Sequence, residues 1–201
     1  MFKKFILRQA QESMFKSSML ILTLCLCLTS CNSDDFEYSS PYACRFQFDN
    51  KLHQDALMAS ALTPYSNIFI KISQRKENGI TILTLSTSDG KTGEVRLTTD
   101  MENSCDYELG ANNGIIVGYS TIDNSYVAFD AQCRECYANA GAYTPNRMLT
   151  WTSSTTDVKC SHCGRTYDLN LKGINKEGTG RQLWLYHATC TDPYGRLVVT
   201  R

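Results

Sequence analysis

The hydrophobic pattern changes character once along the chain. Met19 to Leu28 is an apolar core of about ten residues, preceded by Lys3, Lys4, Arg8 and Lys16. That is too short for a permanent membrane span and has the proportions of an export signal. Beyond it the apolar residues come mostly in twos. Ala43 to Asp49 alternates, with Cys44, Phe46 and Phe48 on one face. Ile68 to Ser73 and Ile80 to Ser86 repeat that period, and Glu94 to Thr98, Ile115 to Tyr119 and Tyr126 to Asp130 extend it. Alternation of this kind predicts half-buried strands. Asp89-Gly90, Asn112-Asn113-Gly114 and Asp123-Asn124-Ser125 have turn chemistry. His53 to Leu62 is expected to form a short helix before Pro64, and Leu183 to His187 with Arg196 to Thr200 a closing hairpin across Asp192-Pro193-Tyr194-Gly195. Frequent short strands predict an all-β domain.

Leu28-Thr29-Ser30-Cys31 follows the apolar run and resembles a bacterial lipobox. Such a signal implies that residues 1–30 are removed and that Cys31 is acylated as the mature N-terminus. Translation from Met1 or from Met14 suits the signal equally. Ser33-Asp34-Asp35-Phe36-Glu37 resembles the acidic tag that sends Bacteroidota lipoproteins to the cell surface, so an outer-membrane address is expected, surface in preference to periplasmic face. Residues 31–42 read as an acylated terminus and acidic tether, and 43–201 as one domain. Loss of 1–30 leaves 16 basic and 19 acidic residues, a net of −3. That balance carries no argument for nucleic acid as a partner. The membrane, through the lipid on Cys31, and an envelope protein of unknown identity are the partners expected.

Two Cys-x-x-Cys pairs carry the chemistry: Cys133-Arg134-Glu135-Cys136 and, 24 residues on from Cys136, Cys160-Ser161-His162-Cys163. Two thiolate turns facing each other supply four soft ligands to one metal ion. A strand ending in Asp130, a ligand turn, a second turn opening Cys-x-x, the stretch Tyr167-Asp168, a loop with Gly173 and Gly180, and Leu183-Trp184-Leu185-Tyr186 together resemble a Rieske-type domain over residues 112–201. The nearest likeness is to Rieske-like lipoproteins of the Bacteroidota. It implies an antiparallel β-sandwich or barrel with an inserted metal lobe at about 131–170. The two histidines of a Rieske centre are absent, since Cys163 stands where the second would be and Cys136 ends a first turn one residue longer.

The four cysteines suit zinc, a single iron or an all-cysteine [2Fe–2S] cluster. No Arg-Arg pair precedes the apolar run, so the chain is expected to be exported unfolded and to take up zinc outside, with the iron–sulfur cluster as the alternative. His162 is expected to point outward and to donate to a sulfur rather than bind the ion. His53 and His187 read as surface or strand residues. Among Cys44, Cys105 and Cys190 an oxidising compartment favours one disulfide, and Cys44 with Cys105 is the preferred pairing because Cys190 lies near the closing turn.

No nucleophile with a base, phosphate-binding glycine loop or carboxylate pair stands out in the sequence. A binding or assembly protein with structural zinc is therefore the leading expectation, ahead of an iron–sulfur electron carrier. A thiol–disulfide oxidoreductase comes third, because neither Cys pair is expected to open a helix.

Overall fold

In the first strand, Cys44–Asp49 (β1), the alternation is realised side chain by side chain: Cys44, Phe46 and Phe48 are buried and Arg45 and Gln47 are exposed. The computed structural model describes residues 38–139 and 147–201. The export segment, Cys31 and the acidic tag lie outside the described residues.

Two short helices follow β1 where the sequence suggests one. Asn50–His53 (α1) ends at Gln54, which adopts a left-handed conformation at φ 51°. Ala56–Leu62 (α2) then starts afresh, capped by Asp55, whose carboxylate accepts from Met58 N at 2.7 Å. The side chains Met58, Ala61 and Leu62 seal the core below.

The strands Phe69–Glu77 (β2), Ile80–Thr87 (β3) and Thr92–Arg96 (β4) form a meander. Helix Asp100–Ser104 (α3) and the short strand Glu108–Leu109 (β5) come next, then Gly114–Ser120 (β6) and Ser125–Asp130 (β7). A capping box starts α3, with Thr99 and Glu102 satisfying each other's backbone amides. After the cysteine region, Leu185–Cys190 (β12) and Arg196–Thr200 (β13) close the chain. These strands form one antiparallel sheet in the order β4-β3-β2-β6-β7-β12-β13-β1-β5.

Helix Arg134–Asn139 (α4) and the short strands Thr150–Trp151 (β8), Asp157–Lys159 (β9), Thr166–Asp168 (β10) and Ile174–Asn175 (β11) lie between β7 and β12. The four strands make a second antiparallel sheet, β11-β10-β9-β8. Since β7 and β12 are hydrogen-bonded neighbours, this lobe is an insertion between adjacent strands of the large sheet. The fold is all-β, with two antiparallel sheets.

The middle strands explain how the lobe attaches. On β6, Ile115 and Val117 enter the inner core while Ile116 faces the other way; on β7, Ala128 points in and Val127 and Phe129 point out. The outward set packs with Leu149, Val158, Tyr167, Leu169 and Leu183 into a second core. Gly118 makes room there, because the Phe69 ring lies where any β-carbon would stand. Polar ties reinforce the junction. Lys71 Nζ donates to Leu149 O at 3.1 Å and Trp151 Nε1 to Ser86 Oγ at 2.9 Å.

The fold begins before residue 43. Ser39 forms a parallel bridge with Leu185, and Ser40 is fully buried, its amide donating to Leu185 O at 3.1 Å. Residues 39–42 thus belong to the domain rather than to a tether. Among the described residues no helix is long and apolar enough to cross a membrane.

Candidate metal centre

The first Cys pair is placed by an extension of β7. Ala131 N donates to Gly114 O at 2.9 Å, Leu149 N to Ala131 O at 2.7 Å and Cys133 N to Arg147 O at 3.1 Å. Cys133 then starts α4, its carbonyl accepting from Tyr137 N at 3.0 Å. The first pair does open a helix, against expectation, though one of only six residues.

The second pair sits on the turn between β9 and β10. Cys160 N donates to Arg165 O and Gly164 N to Cys160 O, both at 2.9 Å. Gly164 closes that turn at φ +77°, which glycine adopts without strain.

The two turns face each other. The sulfurs of Cys133, Cys136, Cys160 and Cys163 all lie within 4.8 Å of one another. Cys133 Sγ is 3.7 Å from Cys163 Sγ, and Cys136 Sγ is 3.7 Å from Cys160 Sγ. All four are free thiols. A metal–sulfur bond of about 2.3 Å in a regular tetrahedron requires sulfurs about 3.8 Å apart. A disulfide would bring them to about 2.0 Å. The donor set therefore fits one tetrahedral thiophilic ion, and four protein ligands leave no position open for a substrate.

Cys133 and Cys160 are fully buried, and Cys136 and Cys163 are half-buried. Burial pushes the Cys133 thiol up to about 11, and the Tyr167 hydroxyl, 3.4 Å from its sulfur, pulls the other way. Cys136 is also raised, first by burial and then by the neighbouring thiols. At Cys163 burial is outweighed by hydrogen bonds from the Arg165 backbone and guanidinium, so that thiol is lowered to about 7. A buried, raised Cys133 is the opposite of an activated nucleophile.

His162 is exposed, with Nδ1 at 3.5 Å from Cys136 Sγ. The flanking charges hold the loop that follows β11. Arg134 Nη1 donates to Gln182 O at 3.4 Å, Arg181 N to Glu135 Oε1 at 2.8 Å and Arg165 Nε to Thr179 O at 3.5 Å.

Cys44 and Cys105 do not come together; each is a free thiol. Cys44 points into the core from β1, whereas Cys105 lies 3.7 Å from the amide of Gln47, a residue on the strand's exposed face. His187 is an exposed strand residue, but the His53 side chain is only 5% exposed, 2.7 Å from Glu102 Oε1 and stacked on Phe48. A groove of about 490 Å³ is lined by Arg45, Gln47, Cys105 and Tyr107; Arg45 donates to Asp106 O, Gln47 to Cys105 Sγ and Cys105 to Met101 O, while the buried Tyr107 hydroxyl has no hydrogen-bond partner among the described residues.

Several buried groups near the site are not evident from the sequence. Asp130 is fully buried and accepts from Ala111 N, Gln132 N and the Tyr186 hydroxyl, each at 2.8 Å. Tyr186 Oη is also 2.9 Å from Ser40 Oγ. Tyr42, Tyr137 and Trp184 form a cluster of edge-on rings with centroids 5.0 to 5.6 Å apart. Asp at a strand end is visible in the sequence; of its partners Gln132 is two residues away, but Ala111 and Tyr186 are 19 and 56 positions distant.

No protein-family model matches the chain, and neither a curated protein nor a solved structure matches it.

Proposed function

We propose that the chain is a membrane-anchored, non-catalytic lipoprotein whose β framework carries a structural zinc lobe, serving binding or assembly in the cell envelope. One observation carries the metal part: four thiol sulfurs within 4.8 Å of one another, two of the pairs 3.7 Å apart as around one tetrahedral ion. The same compactness speaks against a [2Fe–2S] cluster, which divides its four thiolates between two irons and holds the two pairs apart across the cluster. A lobe inserted between neighbouring strands of a larger antiparallel sheet supports the Rieske-like layout. The lipobox-like Leu28 to Cys31 and the acidic run after it support an anchored, surface-facing address.

Elemental analysis and a visible spectrum of the purified protein test the reading together. About one zinc per chain and a colourless solution are expected. Stoichiometric iron with strong visible absorption would replace zinc with a redox centre. The anchor is tested separately by Cys31→Ser, which should abolish incorporation of labelled fatty acid and release the protein from membranes. A labelled, membrane-bound variant would refute acylation at Cys31.

A further inference from the structure

The segment that joins the fold to the N-terminal residues is built into the metal lobe's boundary. Ser39 and Ser40 lie along β12 at Leu185, beyond the last pairing of β12 with β13, which ends at His187 with Thr200. Ser40 Oγ accepts from Tyr42 N at 3.2 Å and reaches Tyr186, which donates to Asp130. Two residues later Tyr42 places its ring between two others: Tyr137 at 5.0 Å and Trp184 at 5.0 Å, with Tyr137 and Trp184 themselves 5.6 Å apart. Tyr137 directly follows the ligand Cys136 on α4. One end of the segment thus rests on the framework, and the other rests on a ring carried by the first ligand turn.

We propose that residues 38–42 form a strap whose docking is coupled to metal occupancy of the four-cysteine centre, through the ring contact of Tyr42 with Tyr137. The proposal rests on the reading that these cysteines hold an ion. With the ion in place α4 is fixed and Tyr137 closes the cluster over Tyr42. Without it α4, a six-residue helix with little stability of its own, loses its bond through Cys136 and is tied to the 181–182 loop by Arg134 and Glu135, which leaves the Tyr137 end freer to move. Tyr42 then loses one of its two ring partners, and the strap opens from that end. Coupling of this kind is reciprocal, so the docked strap must favour the bound metal by the factor with which the metal favours docking. Whatever holds the residues before Tyr38 would sense the state of the centre.

Hydrogen exchange on the full chain tests this, with zinc bound and after its removal by a chelator. Zinc removal should speed exchange at Ser40 and Tyr42 by about fivefold or more. Tyr42→Ala should weaken zinc binding by a comparable factor, measured by competition with a chromophoric chelator, and Tyr42→Phe, which keeps the ring, should restore it. A strap equally protected with and without zinc, while residues 133–139 lose protection, overturns the coupling and leaves the metal reading intact. A wild-type chain that binds no zinc overturns both.

Discussion

The large sheet and the metal lobe solve the same problem with different means. The framework strands, β5 apart, run five to nine residues, and all nine strands of the sheet contribute side chains with α2 to one core. The lobe's strands are two or three residues long, and its core contains two of the ligand sulfurs, Cys133 and Cys160. Long ladders bury enough apolar surface to fold unaided. A four-strand sheet with ladders this short does not, and the four-cysteine cluster, which could hold a metal ion, stands where further core would be. A structural zinc contributes about 10–16 kcal/mol in small peptide systems, far more than any single side chain here.

Removing one ligand is the largest way to break that contrast. Cys160→Ser should abolish stoichiometric zinc and strip exchange protection from residues 133–139 and 147–169, while β1, β2, β3 and β6 keep theirs. Exchange mapped by mass spectrometry separates the outcomes. Collapse of the whole domain would mean that the lobe nucleates the framework, and unchanged protection would mean that the cysteines do not share an ion.

The same contrast explains what was legible in the sequence. Strands such as β1 and Arg196–Thr200 (β13) were readable because one buried face imposes period two, and β13 has the bounds expected of it. β9 and β10 were not, because three residues carry no period and their pairing is set by the cysteine turn between them. Thr99 and Glu102 have the spacing of a capping box, a signal for α3 that alternation alone does not reveal. The gathering of the four cysteines was legible from spacing alone, since two Cys-x-x-Cys turns are a pattern that brings four thiols together. The contacts around them were not, because Tyr167 reaches Cys133 across 34 positions, and at the junction Asp130, Tyr186 and Ser40 meet across up to 146. Pairing Cys44 with Cys105 follows from compartment chemistry, which is blind to the face a strand presents.

Acid should separate the regions next. Thiols must lose their protons to bind metal, and Cys133 at about 11 and the raised Cys136 hold theirs at neutral pH in the metal-free chain. Binding between pH 7 and 9 therefore releases at least two protons, and zinc affinity should rise about a hundredfold per pH unit. Chelator competition at pH 7 and 8 reads this directly. A flat profile would mean that the free site is already a set of thiolates.

A smaller effect is expected at the junction. Asp130 is held above the usual carboxylate range by burial, with its three hydrogen bonds pulling back. Asp130→Asn keeps the shape but turns an NH₂ toward groups that donate. The loss should be about 1–3 kcal/mol, seen as a lower denaturant midpoint. Zinc stoichiometry should stay unchanged, because the hydrogen bonds that weaken run to Ala111, Gln132 and Tyr186 and to none of the four cysteines. Loss of zinc in this variant would place Asp130 in the support of the ligand turn instead.

The smallest effect should come from the residue nearest the sulfurs that is not one of them. His162 is exposed, and its Nδ1 stands 3.5 Å from Cys136 Sγ. A histidine ligand needs its nitrogen about 2.0–2.1 Å from the ion, in place of one of the sulfurs. The four sulfurs already lie within 4.8 Å of one another and supply four donors, so His162 is left to donate to a thiolate from outside. Such a bond moderates sulfur charge, and in water it is worth little beside a buried one. His162→Ala should keep about one zinc per chain and weaken affinity by about tenfold at most. If His162→Ala loses its zinc while Cys136→Ser retains it, the centre is Cys₃His and the first turn contributes Cys133 alone.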